Sequence, residues 1–204
     1  MTDLVLVRHG ETEWNRLQRV QGRTDIPLND TGRQQAEETA DRLRQRGERF
    51  DAVAASPLSR AVETARIIAD GLGLGEVETV DALVERDYGG AEGMTGQQID
   101  ERFGGRLDAQ ESREATVERA RPALLALAER HPGQRVLVVS HGGVIGSLVR
   151  DATEWTWPER GVQIANGSDH VFRVEDGSLS LVSFAGRPWS ADLLPPRDPV
   201  PAAD

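Results

Sequence analysis

Four short blocks of the sequence carry the residue types that transfer a phosphoryl group. An arginine and a histidine stand together at Arg8 and His9, a second arginine follows at Arg60, a glutamate at Glu85 and a second histidine at His141. Guanidinium groups bind phosphate oxygens in a bidentate manner, and a neutral imidazole can attack phosphorus and so divide one difficult displacement into two easier ones. A glutamate can protonate the leaving oxygen and then deprotonate the attacking water. The set predicts phosphoryl transfer at a site without a metal ion.

Taken alone, the tripeptide Arg8-His9-Gly10 leaves several alternatives open. A histidine at the end of a strand can be a nucleophile, a base, a metal ligand or a polar residue that caps the strand. The sequence shows no cluster of Asp, Glu and His with the spacing of metal ligands. All 24 basic residues are arginines, which excludes a P-loop lysine and a lysine Schiff base. Any anion site must therefore be built from guanidinium and backbone N–H groups.

The apolar pattern predicts the elements that must position these side chains. The predicted strands are residues 4–7, 50–55, 77–80, 136–139, 171–174 and 179–184. The first and fourth are typical of strands buried on both faces, and each runs directly into one of the histidines. Helical stretches separate the first four strands, whereas the last two strands form a hairpin with Gly177 in its turn.

This alternation predicts an α/β fold. The expected architecture is a three-layer sandwich, with a mostly parallel central sheet, helices on both faces and an antiparallel edge hairpin. Ligands of such sheets bind beyond the carboxyl ends of the strands. His9 and His141 are therefore expected to meet in one crevice.

Three local features carry further predictions. Ser56 and Pro57 are interpreted as the N-cap and first residue of a helix that places Arg60 in its first turn. Pro122 is expected to kink or restart the helix predicted over residues 112–130. Trp155 and Trp157 are predicted to pack under the last helix.

Length and composition restrict the function classes. The 204 residues fit one domain, predicted at 1–185 and followed by a Pro- and Asp-rich tail at 186–204. The absence of cysteine excludes disulfides and thiolate catalysis, and a net charge of −10 argues against nucleic acid or an anionic membrane as partner. We expect a cytoplasmic protein with a small phosphorylated metabolite as its partner and no cofactor, and the sequence leaves a homodimer open.

The motifs resemble the phosphoglycerate mutase-like branch of the histidine phosphatase superfamily. The residues that carry the resemblance are Arg8-His9-Gly10-Glu11-Thr12, Trp14-Asn15, Gln21-Gly22, Asp25, Pro27-Leu28, Gly32, Ser56-Pro57-Leu58-Ser59-Arg60-Ala61, Thr64-Ala65, Glu85-Arg86-Asp87-Tyr88-Gly89, Glu92-Gly93 and Ser140-His141-Gly142-Gly143. All blocks follow the family's order. Arg-His-Gly alone is unspecific, but the four principal blocks together are highly specific.

The resemblance implies a role for each matching residue. His9 is implied to be the nucleophile that becomes phosphohistidine, and Glu85 the proton donor and acceptor. The residues implied to bind the transferred phosphoryl group are Arg8, Arg60 and His141, assisted by Asn15, Gln21 and Gly22.

Two departures from the family's pattern concern the rest of the pocket. Ala91 stands where the family commonly has tryptophan, which predicts a more open wall. Gln110-Glu111-Ser112 replaces the common Gly-Glu-Ser before the long helix, which weakens the case for a backbone contact there. Substrate specificity is expected to depend on Ala91, on residues 94–113 and on the loop at 155–163.

The same residues serve a phosphatase, a mutase or an inactive phospho-ligand binder. A mutase must exclude water from the phosphohistidine, and mutases of this family carry a longer, more basic insertion after the glutamate block. Residues 89–139 are only about 50 residues, with seven arginines against eight acidic residues. This favours a metal-independent phosphomonoesterase, with a mutase as the first alternative and an inactive binder as the second.

Overall fold

The computed structural model describes residues 1–104, 109–157 and 162–190. The helices are α1 (Glu13–Arg16), α2 (Asp30–Gln45), α3 (Ser59–Leu72), α4 (Gly96–Phe103), α5 (Arg113–Arg130) and α6 (Gly142–Ala152). The strands are β1 (Thr2–Arg8), β2 (Ala52–Ala55), β3 (Val77–Thr79), β4 (Arg135–Ser140), β5 (Asp169–Glu175), β6 (Ser178–Phe184) and β7 (Arg187–Pro188). Within these residues, no helix is both long enough and apolar enough to cross a membrane.

The described strands form one sheet in the order β3-β2-β4-β1-β5-β6-β7. The pairs among β1 to β4 are parallel, whereas β5, β6 and β7 join the other side of β1 in antiparallel pairs. The predicted α/β class, its mostly parallel centre and its antiparallel edge hairpin are confirmed.

Helices cover both faces of this sheet. Alternate side chains of a strand point to opposite faces, so each face presents apolar side chains that the helices bury. Leu4 and Leu6 of β1 are fully buried in one apolar core with side chains of α5 and α6. Val5 and Val7 are fully buried in a second core with α2 and α3. Full burial of each such side chain stabilises the fold by roughly 1.5–3 kcal/mol. The three predicted layers follow from this division.

The register of β1 and β4 decides where the site forms. Arg8 lies opposite Ser140 in the parallel pair, and the N–H of His9 donates to the carbonyl oxygen of Ser140 at 3.0 Å. The residue that follows each strand end is a histidine, so His9 and His141 leave the sheet side by side. Their ring centroids lie 5.1 Å apart, which confirms that the two histidines meet.

The predicted start of the helix that carries Arg60 is wrong. Helix α3 begins at Ser59 with Leu58 at its N-cap, and no side chain caps it. Ser56 is fully buried and its hydroxyl contacts His141 instead, although Arg60 does lie in the first turn of α3 as predicted. Pro122 does not restart α5, which continues through it as one helix, and the kink expected at Pro122 stays a prediction.

Trp155 and Trp157, in the segment that follows α6, differ in how far they are buried. Trp157 packs against Phe184 and Trp189, with ring centroids 4.2 and 4.9 Å away, as predicted for a packing residue. Trp155 is 39% exposed, so the packing role predicted for it is wrong. The described part of the predicted tail contributes β7 to the sheet edge, and residues 191–204 lie outside the described residues.

Candidate active site

His9 follows β1 directly and is 2% exposed. Its Nδ1 lies 2.7 Å from the carbonyl oxygen of Gly10. A carbonyl oxygen only accepts hydrogen bonds, so Nδ1 must carry the proton and Nε2 keeps its lone pair. The backbone therefore selects the tautomer that a nucleophilic histidine needs.

The surroundings of His9 also keep the ring neutral. Burial lowers its pKa well below the ordinary value of 6.5, and the positive charges of Arg8 and Arg60 lower it further. The hydrogen bond to Gly10 acts in the opposite direction but is the smaller effect. A neutral ring is the form that can attack an electrophile.

Arg8 and Arg60 bring two buried positive charges to this ring. Arg60 is fully buried and donates from Nη2 to the carbonyl oxygen of Gly22 at 2.8 Å and from Nη1 to that of Thr24 at 2.9 Å. Arg8 donates to the carbonyl oxygen of Ile164. In both arginines Nε is buried without a hydrogen-bond partner among the described residues.

These arginines are held mainly by uncharged groups. The carboxylate nearest to Arg60 is that of Asp25, at 4.0 Å and half exposed. Burial lowers the pKa of both arginines. A buried charge that is neither paired nor fully hydrogen-bonded is costly, and an anion bound beside His9 would offset that cost.

Glu85 lies in the segment after β3 that forms no regular strand. One carboxylate oxygen accepts from the N–H of Gly143 at 3.0 Å and the other from the N–H of Arg86 at 2.8 Å. A side chain on residue 143 would place its Cβ 2.5 Å from Glu85 Oε1. Glycine at this position therefore lets the first turn of α6 approach the carboxylate.

His141 is fully buried beside His9 and is held by Ser56. Its Nε2 lies 2.7 Å from the Ser56 hydroxyl, while its Nδ1 has no partner among the described residues. Burial lowers the pKa of His141 well below 6.5, and Arg60 lowers it further. The Ser56 oxygen accepts from the N–H of Leu58 at 3.4 Å, and its hydroxyl proton is free to be donated to Nε2. We infer that His141 carries its own proton on Nδ1.

Asn15, Gln21 and Gly22 form the facing loop. The amide oxygens of Asn15 and Gln21 both accept hydrogen bonds from Thr12, at 3.1 and 2.9 Å. Gly22 has a φ of +56°, and its carbonyl oxygen holds Arg60. Hydrogen bonds within the loop and one to Arg60 therefore fix its position.

These residues enclose a cleft of about 490 Å³. Its walls are formed by Arg8, His9, Asn15, Arg19, Val20, Gln21, Gly22, Arg60, Glu85, Tyr88, Arg113, Gly142, Gly143, Gly146, Arg150, Val162, Gln163 and Ile164. Seven of the eight predicted site residues line it. His141 is fully buried beside His9 and is not among the residues of the wall. Five of the lining side chains are arginines and one is a carboxylate, so the cleft favours anions.

The comparison with known protein families agrees with this geometry. Residues 4–186 match the sequence model of the histidine phosphatase superfamily, branch 1. The chain belongs to the histidine phosphatase superfamily. The resemblance inferred from the motifs is confirmed.

The relatives of this superfamily member include phosphatases and mutases. It is 37% identical to a protein named uncharacterized phosphatase PhoE from Bacillus subtilis, over 93% of this chain and 92% of that one. It is 33% identical to a metal-independent phosphoserine phosphatase of Arabidopsis thaliana, over 96% and 90% of the two chains. A phosphoserine phosphatase from Entamoeba histolytica, solved with phosphoserine, superposes with a TM-score of 0.76 at 31% identity, over 91% and 98%. Proteins named phosphoglycerate mutases are also among the relatives.

Several residues that support the site of this superfamily member were not assigned roles from the sequence. Asn166 donates to the carbonyl oxygen of His9 at 2.8 Å from a loop 157 residues further along the chain. Glu92 accepts hydrogen bonds from the N–H groups of Arg23 and Thr24, at 2.9 and 3.0 Å, and so holds the loop that carries Gly22. The pair Glu92-Gly93 in the motif was a usable signal, whereas no local pattern marks Asn166.

The predicted specificity residues are placed unevenly. Ala91 is fully buried and does not line the cleft, so the prediction of a more open wall at this residue is wrong. Arg113, Val162 and Gln163 do line it. Residues 105–108 and 158–161 of the predicted segments lie outside the described residues.

Within the described ranges, no group of three or more His, Cys, Asp or Glu side chains is arranged to hold a metal ion. The charge in the cleft is instead carried by guanidinium groups. The arrangement can bind a phosphoryl group, present a neutral imidazole to it and place a carboxyl group beside it.

Proposed function

We propose that the protein hydrolyses phosphate monoesters without a metal ion, by way of a phosphohistidine on His9. The observation that carries this proposal is the state of His9. Its Nδ1 is bonded to the Gly10 carbonyl oxygen at 2.7 Å, its pKa is held low, and it lines a cleft with Arg8 and Arg60. A lone pair on Nε2 beside two anion-binding groups suits nucleophilic attack on phosphorus.

The reaction has two steps. In the first, His9 Nε2 attacks phosphorus, the N–P bond forms, the P–O bond to the leaving group breaks, and Glu85 gives its proton to the leaving oxygen. In the second, Glu85 takes a proton from water as that water attacks phosphorus, the N–P bond breaks, and phosphate leaves. Arg8 and Arg60 stabilise the charge on the phosphoryl oxygens in both steps, and the N–H on His141 Nδ1 is proposed to assist them.

The substrate is proposed to be a small phosphorylated metabolite. A cleft of about 490 Å³ is within the usual range for small-molecule sites. The solved relatives include enzymes named for phosphoserine and for glucosyl-3-phosphoglycerate. The cytoplasmic location and the domain boundary at residue 185 stay predictions, and dimerisation stays open.

The first experiment is phosphate release from p-nitrophenyl phosphate in EDTA. We expect wild type to release phosphate and to form an acid-labile phosphoprotein. His9→Ala should form no phosphoprotein, and its rate of phosphate release should be lower by roughly a thousandfold or more. His131→Gln, a substitution at the C-terminal end of α5, should behave like wild type. Activity that needs an added metal ion, or that persists in His9→Ala, would contradict the proposal.

A second assay separates hydrolysis from the mutase alternative. Isomerisation of 3-phosphoglycerate without net release of phosphate would identify a mutase. An inactive binder would instead bind phosphate or vanadate, and its affinity would be the same in wild type and Glu85→Gln with no turnover in either. The proposed phosphatase should retain that affinity in Glu85→Gln but lose turnover by about a hundredfold or more.

A further inference from the structure

The cleft holds more positive charge than the transferred phosphoryl group requires. Arg8 and Arg60 lie at the His9 end, and Arg19 donates to the carbonyl oxygen of Gly93 at 2.6 Å. Arg113 and Arg150 remain, one from each of two neighbouring helices. These two guanidinium groups have no assigned role in the phosphoryl chemistry.

One face of α6 connects the phosphoryl end of the cleft to these arginines. Gly142, Gly143, Gly146 and Arg150 all line the cleft, and the steps of three or four residues from the glycine pair to Gly146 and on to Arg150 keep them on one side of the helix. Arg150 lies about 12 Å along the helix axis from Gly142. Helical side chains lean towards the N-terminus, so that of Arg150 extends back towards His9.

The position of Arg113 is fixed by its approach to Gly146. A Cβ on Gly146 would lie 3.7 Å from Arg113 Nη1 and 3.8 Å from Ile164 Cγ1. Since Gly146 lies one helical turn of about 5.4 Å beyond Gly142, the guanidinium of Arg113 lies one turn from the phosphoryl end. Because residue 146 has no side chain, the space between the Arg113 guanidinium and the phosphoryl end of the cleft stays open.

Arg113 and Arg150 differ from nearby arginines, whose charges are paired with carboxylates. Arg119 pairs with Glu111 at 2.6 Å, and Arg121 pairs with Asp151. Among the described residues, Arg113 and Arg150 make no ion pair or side-chain hydrogen bond. Burial lowers the pKa of Arg113, and the positive charges of Arg86 and, less strongly, Arg150 lower it further. Both cations are half-buried and line the same cleft, and two such cations are stabilised when one anion binds to both.

We propose that Arg113 and Arg150 form a second anion subsite, so that the preferred substrate is a phosphomonoester with a second anionic group on a short spacer. This proposal builds on the phosphatase function proposed above. A carboxylate and a second phosphate both suit a pair of guanidinium groups. The spacer is short because Gly146, beside Arg113, is one helical turn from Gly142.

Binding to the His9→Ala protein tests the subsite independently of turnover. Calorimetry would compare 3-phosphoglycerate with glycerol 3-phosphate, which differ in one carboxylate. It would also compare propane-1,3-diol bisphosphate with the corresponding monophosphate, which differ in one phosphate. Each pair would be measured with Arg113→Met, with Arg150→Met and with Arg66→Met, a control at an exposed arginine of α3.

In at least one pair, we expect the compound that carries the second anionic group to bind about tenfold more tightly than its matched compound. The preferred pair distinguishes a carboxylate from a phosphate. Arg113→Met and Arg150→Met should each remove most of the preference, whereas Arg66→Met should retain it. Equal binding within both pairs, or a preference that survives both substitutions, would overturn the proposal.

The same pairs used as substrates of proteins with an intact His9 separate this proposal from the phosphatase proposal. If the subsite exists, Arg113→Met should lower kcat/KM about tenfold for the anionic member and less than about threefold for its partner. Phosphate release without any anion preference would refute the subsite alone. Anion preference in binding without any phosphate release would refute the phosphatase alone.

Discussion

At the scale of the residue, the site works by assigning one proton to each of two imidazoles. His9 keeps its proton on Nδ1 because the Gly10 carbonyl oxygen accepts it at 2.7 Å. His141 is directed oppositely, because Ser56 meets its Nε2 at 2.7 Å. With these tautomers, one ring presents a lone pair on Nε2, as the proposed nucleophile requires, and the other an N–H on Nδ1, as the proposed hydrogen-bond donor to the phosphoryl group requires.

Ser56 is the residue whose substitution tests this arrangement. Ser56→Ala removes the hydrogen bond to His141 Nε2, so the proton is no longer confined to Nδ1. We expect kcat to decrease about tenfold, and the ¹⁵N chemical shifts of the His141 ring to show a mixture of tautomers. Ser180→Ala, at an exposed serine of β6, should change neither. An unchanged His141 spectrum in Ser56→Ala would refute the assigned role.

At the scale of the element, the glutamate is positioned by helices that are distant in sequence. Glu85 belongs to no strand or regular helix, and α6 reaches it through the N–H of Gly143. From α5, Arg119 donates to the carbonyl oxygen of Glu85 at 3.3 Å and to both carboxylate oxygens of Glu111 at 2.6 and 2.9 Å. Glu111 in turn accepts from the N–H of Asp87 at 3.2 Å. The Glu111–Arg119 pair therefore fixes the segment on either side of Glu85, the proposed proton donor.

Glu111→Gln should disturb proton donation more than binding. Because a poor leaving group needs a proton more than a good one, we expect kcat/KM to fall about tenfold or more for an alkyl phosphate and less for p-nitrophenyl phosphate, with little change in KM. Glu118→Gln, at an exposed glutamate of α5, is the matched control. Equal losses for both substrates would indicate general damage to the fold rather than misplacement of Glu85.

At the scale of the whole molecule, a third buried histidine links stability to pH. His170 on β5 is fully buried, and burial lowers its pKa to about 4. Its Nε2 lies 3.0 Å from the Ser168 hydroxyl, and its Nδ1 accepts from the N–H of Ala185 at 3.3 Å. A protonated ring cannot accept that bond. The neutral ring is therefore part of the folded structure.

The sign of the resulting pH dependence follows from linkage. The unfolded chain binds this proton near pH 6.5, above the pKa of about 4 in the folded protein, so the free energy of unfolding decreases as the pH falls between these values. Between about pH 7.5 and pH 5, His170 should account for about 2 kcal/mol of lost stability. Urea unfolding of wild type and His170→Gln at the two pH values measures this difference.

His170→Gln should therefore lose less stability than wild type on acidification, whatever its stability at neutral pH. The control is His131→Gln at the end of α5, which should show the wild-type dependence. Buried His9 and His141 contribute in the same direction in all three proteins, so only the difference between variants is attributed to His170. Parallel losses in wild type and His170→Gln would contradict the assignment.

The sequence by itself determined the elements and residues whose evidence is local. The apolar run of β1 and its abrupt end at Arg8-His9 are visible in eight residues, and the same pattern before His141 places both rings at one edge of a parallel sheet. The capping box of Thr95 and Gln98 at the start of α4 is likewise formed by residues three positions apart. Hydrophobic periodicity, the residues that end a strand or helix, and short motifs are all properties of neighbouring residues.

Only the tertiary structure decided which polar groups meet across the sheet. Ser56 has the local pattern of an N-cap, yet it is bonded to a histidine 85 residues away. Arg113 and Arg150 reach the cleft from α5 and α6, and Asn166 contacts the backbone of His9 from a separate loop. Buried donors and charges must find partners wherever the packed chain brings them. Those partners are set by the distances between elements, which no local pattern encodes.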